Sequence, residues 1–140
     1  MLPALSPETL TLLARIAFLV AAVTDALALV PMLFPRVGST LFGGDSSRAT
    51  PAYRYAMNLA ASLMAGWTVL LFWAAAQPLE RRDVLLIVVF PSILGIVCAS
   101  VVAARHGVID GRRMIPLWIH LGVLSALCLS VYVLSCPIAS

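Results

Sequence analysis

Residues 84–104 read VLLIVVFPSILGIVCASVVAA and contain no charged side chain. A helix of roughly 20 apolar residues crosses a hydrocarbon core of about 30 Å, so this run is long enough to span a bilayer. Backbone N–H and C=O groups cannot bond to water within lipid, and a helix satisfies them internally. The run therefore predicts a transmembrane helix, which Pro91 is expected to bend because proline removes one helical hydrogen bond.

Three other stretches have the same apolar character, at about 10–34, 52–76 and 114–134. The 140-residue chain is 62% hydrophobic and only 11% charged, whereas soluble domains average about 25% charged residues. This composition excludes a soluble globular protein, and it excludes a disordered chain, which would be poor in apolar residues. We expect one all-α integral membrane domain over 1–140, an antiparallel bundle of four transmembrane helices joined by short connections.

Local signals mark where two of these helices begin and where the first one ends. Ser6-Pro7 and Thr50-Pro51 each combine a residue that favours the N-cap position with a proline suited to the first helical turn. Pro35 is expected to stop the first helix, because it cannot continue the backbone hydrogen bonds.

Small residues recur at helical spacing in every span, so each set falls on one face of its helix. The sets are Ala14, Ala17 and Ala21; Ala61 and Ala65; Gly95, Ala99 and Ala103; and Gly122, Ala126 and Ser130. Association of helices in lipid relies on close backbone approach through such residues. These faces are therefore predicted to pack the bundle.

The basic residues are unevenly distributed between the two sides of the predicted bundle. Six arginines fall on one side: Arg36, Arg48, Arg54, Arg105, Arg112 and Arg113. Three fall on the other: Arg15, Arg81 and Arg82. The side richer in arginine is expected to be cytoplasmic, which places both termini on the extracytoplasmic side of the membrane. All nine basic residues are arginine and none is lysine, which favours a bacterial inner-membrane protein with a GC-rich gene. A net charge of +3 without a long basic run excludes a nucleic-acid surface.

Polar side chains from all four spans are predicted to lie in one layer near the arginine-rich side. At about 1.5 Å per residue, Asp25 lies roughly 12 Å below that side, Asn58 and His120 roughly 9 Å, and Ser100 roughly 6 Å. An ionisable residue within a span is by default a candidate functional site. We therefore expect a pocket lined by these four residues and open to the cytoplasm, with Arg54 as the counter-ion of Asp25. The alternative is a structural role, in which Asp25 only pairs with Arg54 and Asn58 bonds a neighbouring backbone.

Three functions fit this pattern. The first is a small membrane protein that binds or moves an unidentified small solute, coupled to protons through Asp25. Because four helices are few for an alternating-access path, such a transporter would need a homodimer or larger assembly. The second is a non-catalytic accessory protein that docks partner helices through its small-residue faces. The third is a membrane enzyme acting on a lipid or isoprenoid, which needs a lateral opening at Asp25 and His120.

The sequence favours a protein that is not an enzyme. Membrane lipids are expected to contact it. It contains no glycine-rich phosphate loop, nucleophile elbow or HExxH motif. His106 and His120 are the only histidines, and His106 is predicted to lie in a loop, so the pair is poorly placed for haem. Two histidines and scattered acids are also a poor zinc site. We therefore expect no cofactor.

Overall fold

The computed structural model describes residues 6–42 and 50–136, which are almost entirely helical. Four helices are long and apolar enough to cross a membrane: α1 (Pro7–Leu33), α3 (Pro51–Ala76), α4 (Asp83–Arg105) and α5 (Gly111–Ser135). The short helix α2 (Pro35–Phe42) follows α1. The predicted all-α bundle of four transmembrane helices is confirmed, and the chain is a multi-pass membrane protein. Arg48, counted above, lies outside the described residues.

The helix starts show the expected capping chemistry. The Ser6 hydroxyl accepts a hydrogen bond from the Thr9 N–H at 3.2 Å, and the Thr50 hydroxyl accepts one from the Tyr53 N–H at 3.2 Å. Each bond satisfies one of the N–H groups that have no partner within the first turn of a helix. α1 ends just before Pro35, which is the first residue of α2. The N-termini of α1 and α3 and the C-terminus of α1 were therefore predicted correctly from the sequence.

Pro91 changes the helix in which it lies. Residues Val88–Ile93 form a π-helical segment within α4. Proline lacks the N–H that would bond the carbonyl of Ile87, four residues earlier. In the π-helical register the Ser92 N–H, five residues after Ile87, bonds that carbonyl, and the Ser92 hydroxyl donates to it as well at 3.3 Å. The carbonyl freed by Pro91 is therefore satisfied within the helix.

The helices pack in the order α3, α1, α5, α4. α1 packs most extensively against α3, and α5 contacts both α1 and α4. One buried apolar cluster joins all four, with Phe18, Leu71, Leu85 and Cys128 fully buried. Thr24 of α1 bonds His120 of α5, and Arg113 at the start of α5 donates to Thr40, which lies beyond the end of α1, so these two helices run antiparallel. α5 consequently lies between two neighbours and contacts each with a different face.

Small residues pack only part of this bundle. Ala14 and Ala17 of α1 are completely buried, as predicted. The prediction is wrong for α4 and α5, because a Cβ added to Gly95 or Gly122 would meet no atom within 4 Å. α5 instead contacts its neighbours through larger side chains such as Leu124, which is buried. The glycine faces of α4 and α5 therefore point away from the bundle.

Three arginines hold the end of the bundle formed by the α3–α4 turn. Arg15 Nε donates to the Ala75 carbonyl at 3.3 Å, and an Arg82 guanidinium N–H donates to the Ser135 carbonyl at 2.7 Å. Arg81 donates to the Trp73 carbonyl and lies 3.5 Å from the centre of the Trp73 ring. The last carbonyls of a helix have no partner within the helix and carry partial negative charge. These arginines therefore cap the C-termini of α3 and α5.

Candidate functional site

A hydrogen bond between polar side chains joins α1 and α5 within the membrane span. Thr24 Oγ1 lies 2.9 Å from His120 Nε2, and the same hydroxyl donates to the Val20 carbonyl at 2.8 Å. Thr24 has a single hydroxyl hydrogen, which the Val20 carbonyl takes. Thr24 therefore accepts from the imidazole, and His120 carries a proton on Nε2. The neutral ring then presents Nδ1 as a hydrogen-bond acceptor.

Asp25 follows Thr24 directly and extends the buried face of α1. It lies one helical turn after Ala21 and Ala22, both of which are buried. Asp25 itself is only half-buried, and Thr24 has intermediate exposure as well. Asp25 thus lies where the buried residues of α1 give way to more exposed ones, in the direction of the arginine-rich side. A carboxylate and an imidazole nitrogen, contributed by two helices, are the ionisable groups of this region.

Ser100 makes a different contact on the other side of α5. The Trp118 indole N–H donates to the Ser100 hydroxyl at 2.8 Å, and that hydroxyl donates to the Val97 carbonyl at 2.9 Å. Ser100 is buried, with 8% of its surface exposed. Trp118 and His120 are two positions apart, which is about 200° around a helix. The structure therefore puts Ser100 and His120 on opposite faces of α5, in two separate contacts.

The other two predicted site residues lie on α3. Asn58 and Arg54 are both exposed, and the Asn58 backbone carbonyl accepts a bond from the Ser62 hydroxyl at 3.0 Å. The structure does not bring Arg54 and Asp25 together as an ion pair. Within the described part of the chain the ion pair is Asp110–Arg113, at 3.6 Å. The expectation that Arg54 is the counter-ion of Asp25 is therefore wrong for this arrangement.

The sequence pointed to His120 and Ser100 but not to their partners. Thr24 draws attention only as the neighbour of Asp25, and Trp118 fits an ordinary role at the membrane interface. Both pairs depend on how each helix is rotated about its axis, which depth in the membrane does not determine. One usable signal was the spacing of Trp118 and His120, because polar groups two positions apart on a helix must face different neighbours.

Two acceptor groups lie at or next to the α1–α5 contact. With Asp25 ionised and His120 neutral, the region offers a carboxylate and an imidazole nitrogen, both of which accept. Among residues 6–42 and 50–136, no three His, Cys, Asp or Glu side chains cluster as metal ligands would. Comparison with protein-family models, curated protein sequences and solved structures finds no match to this chain.

Proposed function

We propose that this protein binds and moves a small solute that carries a positive charge or several hydrogen-bond donors, with Asp25 as the group that exchanges protons. The observation that carries the proposal is the Thr24–His120 hydrogen bond across α1 and α5, directly beside Asp25. Ionisable groups are expensive inside a bilayer and usually face a partner, a cavity or a transport path. Asp25 and His120 are two ionisable residues at or next to the same helix–helix contact, which favours such a path.

The proton and the solute would compete for the same acceptors. An ionised Asp25 attracts a cation, whereas a protonated Asp25 does not, so binding of one releases the other. His120 on the facing helix bonds Thr24, the residue next to Asp25. Its link to Thr24 on α1 would then transmit the change of charge to the packing of the two helices. This coupling is the minimum that a proton-driven exchanger requires.

Assembly into a homodimer or larger oligomer supports the same function. His120 is exposed on the surface of the single chain, although it lies about 13 Å from the start of α5. An exposed imidazole at this depth would face hydrocarbon, which is unfavourable. A second copy that covers this side would shelter His120 and supply further helices for a path.

For orientation, we propose that the arginine-rich end is cytoplasmic in a bacterial inner membrane, with both termini outside. Arg15, Arg81 and Arg82 at the opposite end are engaged by helix carbonyls or an aromatic ring. By contrast, the guanidinium groups of Arg36 and Arg54 make no hydrogen bond to a described residue. Uncompensated basic charge is retained on the cytoplasmic side during insertion.

The test uses purified protein in liposomes on a solid-supported membrane, with a panel of small organic amines. We expect at least one amine to evoke a transient current that grows as the pH is raised, because the charge of the bound amine is then no longer offset by a proton released from Asp25. The Asp25→Asn variant should give none. If no amine evokes a current at any pH, or if Asp25→Asn behaves like the wild type, the proposed function is wrong.

A second candidate function is docking of a partner helix. The observation that favours it is the open space at Gly66, Gly95 and Gly122, because glycines on a helix surface permit close approach of another helix. Replacing Gly95 by leucine would then abolish association with that partner while Asp25→Asn would leave it intact. The opposite result favours the solute path.

A further inference from the structure

A groove on the outer surface between α4 and α5 lies on the opposite face of α5 from the Thr24–His120 bond. Its volume is about 300 Å³, at the lower limit of the roughly 300–1,000 Å³ typical of ligand sites. Its lining is apolar or small and includes Phe90, Leu94, Val97, Trp118, Gly122 and Ser125. The π-helical segment of α4 forms part of its wall.

The polar groups of this groove are already satisfied. The Trp118 indole donates to Ser100, and the Ser125 hydroxyl donates to the Leu121 carbonyl at 2.8 Å. A Cβ added to Gly122 would meet nothing within 4 Å. The groove therefore has room but no unpaired donor or acceptor, which suits a hydrocarbon chain better than a polar solute.

Two arginines stand where α4 and α5 meet at one end of the groove. Arg105 ends α4 and Arg112 lies in the first turn of α5. Both side chains are exposed, and neither makes a hydrogen bond or ion pair with a described residue. Arg113 differs, because it pairs with Asp110 and donates to the Thr40 carbonyl at 2.9 Å. The described residues thus leave two guanidinium groups unpaired at this end.

The geometry of α4 puts Arg105 in line with the groove. Arg105 follows Leu94 by eleven positions, which is about 20° around the helix and roughly 16 Å along it. Leu94 is exposed and forms one lip of the groove. One leaflet of hydrocarbon is about 15 Å thick, half of the bilayer core. A lipid whose headgroup lies at Arg105 can therefore reach the groove with its acyl chain.

We propose that an anionic phospholipid binds between α4 and α5, with its phosphate at Arg105 and Arg112 and one acyl chain in the groove. Guanidinium groups bind phosphate oxygens in a bidentate manner, and basic side chains at the cytoplasmic ends of helices recognise anionic headgroups. The charge and the apolar groove together select this class of lipid. The site is independent of the proposed solute path.

The headgroup contact is tested by native mass spectrometry of the protein released from mild detergent with phosphatidylglycerol or phosphatidylcholine. We expect tighter binding of the first phosphatidylglycerol than of phosphatidylcholine. The double variant Arg105→Gln, Arg112→Gln should weaken phosphatidylglycerol binding by about tenfold or more, since each arginine contributes to attraction of anionic lipid. The matched control Arg36→Gln, Arg54→Gln removes the same charge from the same end and should bind like the wild type. The proposal would be overturned if both double variants lost phosphatidylglycerol binding equally, or if the wild-type protein bound the two lipids equally.

The acyl-chain contact is tested with Gly122→Leu, which fills the groove, and with Gly66→Leu as control, because Gly66 also lies beside open space but on α3. Only Gly122→Leu should lose the bound phosphatidylglycerol. A second measurement uses the wild-type protein and phosphatidylglycerol with a photoreactive group near the end of one acyl chain. Crosslinks should concentrate on α4 and α5 around Leu94 and Gly122. Crosslinks spread equally over α3, or unchanged binding in Gly122→Leu, would show that no chain lies in the groove.

Discussion

The two faces of α5 carry two polar contacts of opposite character. On the face towards α4, Trp118 bonds the buried Ser100, and both groups are neutral at every physiological pH. On the face towards α1, the exposed His120 bonds Thr24, which lies beside the ionisable Asp25. A buried bond between neutral groups fixes helix packing, whereas an ionisable residue within a span is a candidate functional site. The difference between the faces separates a structural contact from the contact on which the proposed function rests.

The largest expected effect comes from Asp25→Asn. Asparagine has nearly the shape of aspartate but no charge to exchange, so amine-evoked currents in liposomes should fall to the level of protein-free membranes. The protein should remain folded, as judged by helical circular dichroism and a monodisperse size-exclusion profile. Glu8→Gln is the matched control, because Glu8 is an exposed acid at the start of α1. Equal loss in both variants, or misfolding of Asp25→Asn alone, would contradict a functional role for the α1 face.

A smaller effect is expected from His120→Gln. Glutamine can still donate an N–H to Thr24, so the helix contact should survive, but it lacks the imidazole Nδ1 acceptor. Amine-evoked currents should persist and reach half of their maximum at a higher amine concentration. An unchanged concentration dependence in this variant would show that His120 is a packing residue.

The two faces can be compared through stability with Ser100→Ala and Thr24→Val. Ser100→Ala leaves the partly buried Trp118 N–H without its partner and should cost about 1 kcal/mol of unfolding free energy, as cross-helix bonds in membranes do. Its currents should match the wild type. Thr24→Val should lower stability less, because its partner His120 is exposed, yet it should alter the currents. Unfolding in mixed micelles and current measurements on both variants would check this. If Ser100→Ala altered the currents and Thr24→Val did not, the two contacts would not differ in the way proposed.

The smallest effect is expected from Gly95→Leu. The space beside Gly95 is open, so the unfolding free energy should change by no more than about 0.5 kcal/mol, as for other surface substitutions. Currents should also be unchanged if partner docking is not the function. Loss of a specific oligomer in crosslinking experiments would instead favour the docking function.

The four spans were predictable because length and hydropathy alone decide whether a helix crosses lipid. The caps at Ser6 and Thr50 were predictable because capping depends on neighbours in sequence. The packing role of the small residues was predictable for α1 and, at the buried Ala61, for α3. The sets that begin at Gly95 and Gly122 also recur at helical spacing, but spacing does not say whether a face meets another helix or the outside of the bundle.

The candidate site was predictable in part for the same reason. Depth in the membrane identified Asp25, His120 and Ser100 as polar residues within spans. Depth alone grouped them into one pocket, because it does not reveal how a helix is rotated about its axis. The rotation of α5 is fixed by packing across the bundle, and it turns Trp118 and His120 towards different neighbours. The expected Asp25–Arg54 pair failed similarly, since Arg54 is exposed on α3.

The central claim is that Asp25 gives up its proton when the solute binds beside Thr24 and His120. Infrared difference spectroscopy tests it directly, with the amine that evokes the largest current flowed over the reconstituted protein. We predict loss of a protonated carboxyl band on amine binding in the wild-type protein, and no such band in Asp25→Asn. A wild-type spectrum in which the amine binds but no carboxyl band changes, or one whose band persists in Asp25→Asn, would contradict the claim.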